Sequence, residues 1–281
     1  MNTNKNYLEW KKQSDPDKGF AVRGTLVEHA AKKGFNAIID EYVYIYPENI
    51  ERTFRLLPLA WESFKGVGVD LGGGVGCVAA TIARKPEVEK IYCVEFTKEV
   101  VELCQSIVKQ VVLPGKEDKV VSVLGDFDNL ELADGSIDFA IDWDSLHHSY
   151  DVIKTLRECH RVLKPSGRLI MVDRVHNNNT PESELERRRT IVYDKEFLRR
   201  NYLDENIVLT RKDLGEHEWR FREWESFFSA AGFKVLDTII IKTDTEDNRA
   251  IKNDKNLVEI LTNYNLGGFG SRKVGYILEA L

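Results

Sequence analysis

The stretch VDLGGGVG, residues 69–76, joins a short apolar run to a segment of helical periodicity. The apolar run at residues 67–71 is typical of a strand that is covered on both faces. After the glycines, apolar residues recur at positions 75, 78, 79, 82 and 83, which form one face of a helix. Glycines allow a tight turn and a close ligand approach, and a helix N-terminus presents free N–H groups. The stretch therefore predicts a ligand-binding turn between the first strand and the first helix of an α/β sheet.

Apolar runs of strand length alternate with helical segments from this point onward. Further strands are predicted at residues 91–95, 120–124, 138–142, 168–172, 234–241 and 274–279. Helices are predicted at residues 100–111, 152–163, 219–233 and 247–263. The alternation indicates a parallel sheet with helices on both faces, whose ligands bind beyond the carboxyl ends of the strands. We expect a doubly wound, seven-stranded, mostly parallel α/β sheet of Rossmann-like type.

Two segments lie outside this alternation. Residues 1–66 have a mostly helical pattern with Tyr42, Tyr44, Tyr46 and Trp61, so we expect an N-terminal helical cap. Residues 174–215 are polar and rich in arginine, so we expect an insertion that forms a lid over the same end of the sheet. A single core domain at residues 67–281, with this cap and lid, then accounts for the length without a second domain.

Composition excludes several classes of protein. Among 281 residues, 40 Lys and Arg against 46 Asp and Glu give a net charge of −6, which argues against a dedicated nucleic-acid binder. No run reaches the roughly 18 apolar residues of a membrane span, and the first residues carry no apolar leader. The four cysteines form no C-x-x-C pair, which is typical of reduced thiols. We expect a cytoplasmic protein that binds neither nucleic acid nor membrane.

The glycine turn differs from the two best-known phosphate-binding turns. Cys77 stands where the third glycine of G-x-G-x-x-G belongs, and no Gly-Lys-Ser/Thr follows. Asp70, two residues before Gly72, would repel a pyrophosphate but suits a ligand with a cationic amino group. The pattern D-x-G-x-G-x-G resembles the first signature of class I S-adenosylmethionine-dependent methyltransferases. The resemblance implies that the turn packs against the cofactor and that Asp70 serves its amino-acid end, directly or through water.

Three more strand ends fit this resemblance. Glu95 ends the second strand, where a carboxylate accepts both ribose hydroxyls. Asp126 follows the third strand, and in the family an aspartate there accepts from the adenine amino group while its neighbour packs on the ring. Asp142 ends the fourth strand, where the family's fourth signature lines the methionine portion. The implied cofactor-binding residues are Asp70, Leu71, Gly72, Gly73, Gly74, Gly76, Glu95, Phe96, Asp126, Phe127, Asp142 and Trp143.

Two later segments extend the resemblance beyond the strand ends. The run LRECHRVLKPSG at residues 156–167 is similar to the L-x-E-x-x-R-V-L-K-P-G-G run of small-molecule methyltransferases. The AGF at residues 231–233 matches the family's motif before the sixth strand. Near the start, Tyr7 and Trp10 resemble an aromatic segment that closes over the cofactor in related enzymes, although helix packing explains them equally well.

Two adjacent histidines follow the fourth strand. An imidazole with a pKa of about 6.5 is a suitable base, and Asp144 is placed to orient it. Similar runs in small-molecule methyltransferases imply that His148, slightly ahead of His147, is the candidate catalytic residue; loop packing is the alternative. A metal site would need Asp142, Asp144 and Asp151 as further ligands. Because adjacent histidines point apart and no second ligand set is evident, we expect no metal.

The resemblance implies methyl transfer from S-adenosylmethionine to an O, N or C atom of a small-molecule metabolite by in-line displacement, releasing S-adenosylhomocysteine. The expected partner is that small-molecule acceptor, and a homodimer is left open. A nicotinamide-dependent oxidoreductase and a non-catalytic methyltransferase-like partner subunit are the alternatives. The arginines of the insertion suit an anionic substrate, but the acids among them favour a solvated helix face. They are Arg187, Arg188, Arg189, Arg199 and Arg200.

Overall fold

An eight-stranded sheet forms the centre of the computed structural model, which describes residues 6–12, 28, 30–41, 47–200, 203–243 and 272–281. The strands are β1 (Leu8–Glu9), β2 (Gly66–Leu71), β3 (Val88–Glu95), β4 (Val120–Leu124), β5 (Ile137–Trp143), β6 (Leu163–Val175), β7 (Phe233–Thr243) and β8 (Arg272–Ala280). Their order across the sheet is β1-β4-β3-β2-β5-β6-β8-β7. The seven predicted strands are all present.

The direction of the strands confirms the doubly wound, mostly parallel sheet. All pairs from β1 to β6 are parallel, whereas β8 is antiparallel to both β6 and β7. The first long strand, β2, lies between β3 and β5, so the chain reverses its winding direction there. In sheets of this type the crevice at such a switch point, beyond the carboxyl ends of the strands, receives the ligand.

The eighth strand was not predicted. Leu8 and Glu9 of β1 pair with Val123 and Leu124 of β4 at the edge of the sheet. A two-residue strand has no periodicity to reveal it, and it comes from the segment for which a helical cap was predicted. The first described residues of that segment are therefore an extended sheet edge rather than a helix.

Helices cover both faces of the sheet. They are α1 (Phe35–Glu41), α2 (Pro47–Arg55), α3 (Pro58–Ser63), α4 (Cys77–Ala83), α5 (Ser106–Val112), α6 (Val152–Val162), α7 (Glu182–Arg189), α8 (Lys195–Arg200) and α9 (Phe221–Ala230). A π-helical turn, Val100–Gln105, runs into α5, and short 3₁₀ turns occur at Glu117–Lys119, Leu146–His148 and Lys212–Leu214. The helices predicted at residues 100–111, 152–163 and 219–233 are confirmed within a few residues.

Alternate side chains of the central strands enter two apolar clusters. Val69 and Leu71 of β2 pack with Met171 of β6 and with α6 and α9. On the opposite face, Phe139 of β5 packs in the cluster that contains α2, α3 and α4. Its ring leaves no space for a side chain on β2, since a Cβ on Gly68 would lie 2.3 Å from it. Burial on both faces explains why the central strands are continuous apolar runs.

The arginine-rich segment after β6 contains several ion pairs. Arg187 and Arg188 of α7 both pair with Glu184, and Arg199 of α8 pairs with Glu205. These contacts agree with the prediction of a solvated, salt-bridged helix face. Tyr42, Tyr44, Tyr46 and the helix predicted at residues 247–263 lie outside the described residues. Within the described ranges, no helix is long and apolar enough to cross a bilayer.

Candidate functional site

The glycine turn between β2 and α4 has a backbone that only glycine adopts readily. Gly72, Gly74 and Gly76 have φ values of 65°, 52° and 85°, and side chains disfavour this left-handed region. The Gly73 N–H donates to the carbonyl of Val94 on β3 at 2.8 Å, which fixes the turn to the neighbouring strand. The predicted turn is therefore present at the switch point of the sheet.

The protein packs tightly against the inner side of this turn. A Cβ on Gly73 would lie 2.5 Å from Sγ of Cys93 and 2.9 Å from Oδ2 of Asp70, and one on Gly72 would lie 2.6 Å from Cβ of Ser145. Real Cβ atoms do not approach other atoms so closely, so any side chain here would push the turn outward. The turn thus forms a cradle whose shape depends on bare backbone, as the predicted cofactor contact requires.

Asp70 is a buried carboxyl group beneath the turn, with 1% of its surface exposed. Burial raises its pKa to about 7; the Ala79 amide opposes this rise and Glu95 adds to it. Beyond this weak contact with the Ala79 amide, neither carboxylate oxygen has a hydrogen-bond partner among the described residues. A cationic amino group nearby would offset this uncompensated burial. Asp70 therefore fits the role predicted for it at the amino-acid end of S-adenosylmethionine.

Glu95, at the end of β3, links the strand to the glycine turn. Its Oε1 accepts from the Thr97 amide at 2.7 Å, and its Oε2 accepts from the Gly74 amide at 3.2 Å. The side chain is buried. A carboxylate has about four acceptor sites, so two remain for the ribose hydroxyls that the sequence analysis assigned to it.

The third strand-end carboxylate lies on the same edge. Asp126 is buried and its Oδ1 accepts from the Asp128 amide at 2.9 Å. The ring of the next residue, Phe127, reaches the turn, where a Cβ on Gly72 would be 3.6 Å from its Cδ1. Asp70, Glu95 and Asp126 therefore stand at the carboxyl ends of β2, β3 and β4, three neighbouring strands, around one glycine turn.

The N-terminal segment covers this edge. Lys12 donates from Nζ to the carbonyl oxygen of Phe96 at 2.5 Å, and its Nζ lies 3.9 Å from the centre of the Phe96 ring. Burial lowers the pKa of Lys12, while Glu95 and Asp126 attract the charged form. Trp10 is buried beside β4, and its backbone N–H donates to the carbonyl oxygen of Leu124 at 2.9 Å. Sequence reasoning noted Trp10 but missed Lys12, because a lysine in a charged terminal segment carries no local signal.

Asp142, at the end of β5, anchors the loop that follows. Its Oδ1 accepts from the Ser145 amide at 3.2 Å, the Ser145 hydroxyl at 2.5 Å and the Leu146 amide at 2.8 Å. Burial, with Asp173 and Asp144 adding to it, raises the pKa of Asp142 well above its usual range. The next residue, Trp143, packs edge-on against Phe54 at 5.2 Å between ring centres. Contacts of Asp142 and Trp143 with a cofactor remain predictions.

The two histidines lie in the 3₁₀ turn after that loop, and their surroundings differ. Nδ1 of His147 is 2.6 Å from Oδ1 of Asp173, and its backbone N–H donates to Oδ2 of the same residue at 3.0 Å. His148 is only partly buried, and its Nδ1 lies 3.0 Å from the Gly215 carbonyl. A carboxylate therefore orients His147, whereas a main-chain carbonyl orients His148.

The orienting acid differs from the one predicted. Asp144 has an oxygen 4.0 Å from Nδ1 of His147, beyond hydrogen-bond distance, and it pairs instead with Lys273 at 3.0 Å and Arg174 at 3.4 Å. Asp144 has a positive φ of 60°, which turns it away from the histidine toward these cations. Asp173 takes the orienting role because it lies near the carboxyl end of β6, the neighbour of β5 in the sheet. A pairing between strands is not visible in local sequence.

A group of charged side chains, here called the Arg174 cluster, surrounds the histidines. Arg174 donates to Nε2 of His147 and to Oε2 of Glu216 at 2.5 Å. Arg211 lies 3.4 Å from the same oxygen of Glu216 and 2.7 Å from Oε1 of Glu218. Burial acts to raise the pKa of Glu216, but Arg174, His147 and Arg211 hold it below its usual range. The full cluster is Asp144, Arg174, Arg211, Glu216, Glu218 and Lys273.

Two sets of side chains have the geometry of metal ligands. Among the described residues, one atom from each of His147, His148 and Glu216 lies within 4.8 Å of the others, and so do atoms of Asp144, His147 and Asp173. The Arg174 guanidinium, itself a cation, already donates to both His147 and Glu216. The protein thus satisfies these groups with its own hydrogen bonds, and we propose no metal here.

Comparison with known proteins identifies the domain. Residues 69–171 match the family model of the methyltransferase domain. Norajmaline N-methyltransferase of Rauvolfia serpentina is 30% identical over 118 residues, covering 41% of this chain and 38% of that protein. The uncharacterized methyltransferase YcgJ of Bacillus subtilis is 36% identical over 105 residues, covering 37% of this chain and 39% of that protein. The matched segment thus spans about two fifths of the length of these curated relatives.

Solved structures share the fold. The structure of YcgJ aligns with a TM-score of 0.52 at 20% identity, over 82% of this chain and 97% of that chain. A geranyl diphosphate methyltransferase in complex with S-adenosylmethionine aligns with a TM-score of 0.57 at 13% identity, over 88% of this chain and 90% of that chain. At such identities the likeness establishes the fold alone. Residues 69–171 of the chain are thus a methyltransferase domain, and the sheet that contains them has the fold of a solved S-adenosylmethionine-bound methyltransferase.

Proposed function

We propose that the protein transfers a methyl group from S-adenosylmethionine to an O, N or C atom of a small-molecule metabolite, releasing S-adenosylhomocysteine. The observation that carries this proposal is the set of buried carboxylates, Asp70, Glu95 and Asp126, at the ends of three neighbouring strands around one glycine turn. The bound cofactor would supply an electrophilic methyl group on a sulfonium for in-line displacement.

The chain's own residues would hold the two ends of the cofactor. Asp70 would pair with the cationic amino group, Glu95 would accept from the ribose hydroxyls and Asp126 from the adenine amino group. Phe96 and Phe127 would pack on the adenine, which requires the Lys12 ammonium to leave the Phe96 ring. Leu71, the glycines of the turn, Asp142 and Trp143 would line the methionine portion. The excess of acceptors over donors suits a ligand that carries amino and hydroxyl donors.

His147 is the residue that we propose to accept a proton from the acceptor. Because Nδ1 donates to Asp173, Nε2 carries the lone pair. In this structure Nε2 accepts from Arg174, so that guanidinium must turn aside before a substrate hydroxyl or amine reaches the nitrogen. His148 is the second candidate, since it lies in the same 3₁₀ turn and its Nδ1 is 3.0 Å from the main-chain carbonyl of Gly215.

We further propose that residues 67–281 form the core domain, with residues 1–66 as a cap and residues 174–215 as a lid over the acceptor. Support for the lid comes from Arg211 in this segment, which reaches Glu216 and, through it, Arg174 at the end of β6. A cytoplasmic protein with a small-molecule acceptor, and no nucleic-acid or membrane partner, is the arrangement that we propose. A homodimer remains an open part of that proposal.

Calorimetric titration with S-adenosylhomocysteine tests the proposal. We expect binding in the micromolar range, and the absence of heat at a suitable protein concentration would overturn it. A fluorescence titration with NADH tests the oxidoreductase alternative. Cys77 argues against that alternative, because it stands where a dinucleotide-binding turn has its third glycine. A non-catalytic partner subunit would bind neither ligand or would bind S-adenosylhomocysteine without turnover. Incubation of the protein with radiolabelled S-adenosylmethionine and metabolite extracts separates that case.

A further inference from the structure

We infer that Arg174 and Arg211 form a binding subsite for a carboxylate group of the methyl acceptor, and that Glu216 occupies it in the free protein. The inference rests on the proposed methyl transfer and names the class of acceptor: a small carboxylic acid. It begins from one atom, Oε2 of Glu216, which lies 2.5 Å from Arg174 and 3.4 Å from Arg211. Two guanidinium groups therefore converge on a single carboxylate oxygen.

Each guanidinium group keeps an acidic partner when Glu216 leaves, and Arg174 gives up only its hydrogen bond to His147 when an acceptor binds. Arg211 keeps its pair with Glu218 at 2.7 Å, and Glu218 is buried and bonded to His176. Arg174 keeps its pair with Asp144 at 3.4 Å. Each arginine thus has one orienting partner besides Glu216, and for Arg211 the same nitrogen, Nη2, lies near both Glu216 and Glu218. A preorganised pair of this kind is suited to bidentate recognition of a ligand carboxylate.

Glu216 can leave by side-chain rotation alone. It follows Gly215, which has a φ of 71°, and lies in irregular backbone between a 3₁₀ turn and α9. Its backbone N–H donates to the Arg211 carbonyl at 3.1 Å, so the chain stays in place when the side chain turns. Glu216 and both arginines retain partial exposure, at 14%, 22% and 24%, so the contact lies at an accessible surface.

An unused donor and the charge balance favour an anionic occupant. The Nε atom of Arg211 is buried and makes no hydrogen bond among the described residues, and such a donor is costly unless a ligand or water meets it. Exchange of the Glu216 carboxylate for a ligand carboxylate leaves the charge of the cluster unchanged. A neutral ligand would instead leave the two guanidinium groups without the negative charge that Glu216 supplies.

The position of the subsite limits the size of the acceptor. Arg174 is at the end of β6, β6 pairs with β5, and β5 pairs with β2, which carries the glycine turn. Two strand spacings of roughly 5 Å separate β6 from β2. The atom that receives the methyl group should therefore lie within about 10 Å of the carboxylate, with His147 between them.

The test uses the full chain labelled with ¹⁵N and titrated with sodium acetate at constant ionic strength. The readout is the Nε–H resonances of Arg174 and Arg211, assigned with Arg174→Lys and Arg211→Lys. We compare Glu216→Gln with Glu205→Gln, a matched control that removes a carboxylate paired with Arg199 at 3.0 Å on the exposed part of the same segment. The tethered Glu216 competes with acetate, so Glu216→Gln should bind it about tenfold more tightly than the wild type or Glu205→Gln.

Three titrants, acetate, acetamide and inorganic phosphate, show which chemical group the subsite binds. Acetamide, the neutral counterpart, should give no saturable shift; inorganic phosphate should bind more weakly than acetate, and tighter phosphate binding would overturn the carboxylate assignment. Equal, non-saturating acetate shifts in Glu216→Gln and Glu205→Gln would show that the cluster only fastens the segment to the core. If Glu216→Gln does not fold, the wild-type titration alone tests the inference, because acetate must still shift the Nε–H resonances of both arginines saturably.

The result is independent of the proposed cofactor. The acetate titration needs no S-adenosylhomocysteine, so a protein that binds acetate but not S-adenosylhomocysteine would refute the methyltransferase proposal and keep the subsite. A protein that binds S-adenosylhomocysteine but shows no acetate response would refute only the subsite.

Discussion

Nδ1 of His147 lies 2.6 Å from Oδ1 of Asp173, and both side chains are buried. The pair joins the loop after β5 to the end of β6 and sets which ring nitrogen carries the proton. Replacement of Asp173 by Asn would remove the acceptor and favour the other tautomer. We expect Asp173→Asn to lower the methyl-transfer rate about 100-fold, the lower part of the range for a positioned base, while the dissociation constant for S-adenosylhomocysteine changes little.

The matched change at the neighbouring histidine separates a base from a packing residue. We expect His147→Ala to lower the rate as much as Asp173→Asn. His148→Ala should retain most of the activity, because a main-chain carbonyl rather than Asp173 orients that ring at Nδ1. Equal losses of activity in His147→Ala and His148→Ala would contradict a proton-accepting role for His147.

Replacement of Glu95 by Ala should weaken the binding of S-adenosylhomocysteine. The variant loses charged hydrogen bonds to the ribose and also the Gly74 and Thr97 contacts that hold the turn. At about 1.5–3 kcal/mol for hydrogen bonds to a charged group, we expect roughly a 10- to 150-fold rise in the dissociation constant. Glu89→Ala, an exposed glutamate of the same strand, is the control for calorimetry and should bind normally. Unaltered binding by Glu95→Ala would remove Glu95 from the site.

The parallel core and the cofactor edge could be predicted because their signals are local. Val69 and Leu71 belong to an apolar run, Gly72 and Gly74 follow it directly, and Glu95 and Asp126 end or follow their strands. In a parallel sheet all carboxyl ends of the strands meet at one edge. A residue's position at the end of a predicted strand was therefore enough to place it at this edge of the sheet, whereas its contact with a cofactor stays a prediction.

The charged residues around the histidines could not be predicted in the same way. They include Asp173 from β6, Glu216 from a loop more than forty residues further along the chain, and Lys273 from β8. Nothing local distinguishes them from solvated charges, because their role depends on strand pairing and on how the segment after β6 folds back. Asp144 was chosen as the orienting acid for its proximity in sequence, and its left-handed backbone points it elsewhere.

Replacement of Gly73 by Ala should destabilise the protein through a steric clash rather than through backbone strain. The new Cβ would lie 2.5 Å from Sγ of Cys93, a buried atom that cannot move aside freely. We expect a loss of about 1–3 kcal/mol in the free energy of unfolding, with weaker binding of S-adenosylhomocysteine. Gly115→Ala is the control, because its φ is 77° but nothing lies within 4 Å of its Cβ, so only about 1 kcal/mol of strain is expected. A larger loss in the free energy of unfolding for Gly115→Ala than for Gly73→Ala, measured by urea titration, would contradict the tight packing against the glycine turn.

The stability of the protein should depend on pH through Asp70. Its pKa is about 7 in the folded protein against an ordinary value of 3.8, so the folded state binds this proton more tightly than the unfolded state. Stability that is present below pH 4 is therefore lost as the pH rises to 7, on the order of 4 kcal/mol for this single group. Asp70→Asn cannot lose a proton, so its free energy of unfolding relative to the wild type should rise between pH 4 and 7 and level off above. Urea titrations at four pH values measure this difference.

Binding should show the opposite trend for the same reason. A cationic amino group stabilises the ionised form of Asp70, so the wild type should release a proton on binding S-adenosylhomocysteine below pH 7 and bind it more tightly as the pH rises toward 7. Calorimetry in buffers of different ionisation enthalpy counts that proton. Asp118→Asn, an exposed change, should keep the proton release, and Asp70→Asn should abolish it. Proton release that persists in Asp70→Asn would assign the titrating group elsewhere and leave Asp70 as a purely structural buried acid.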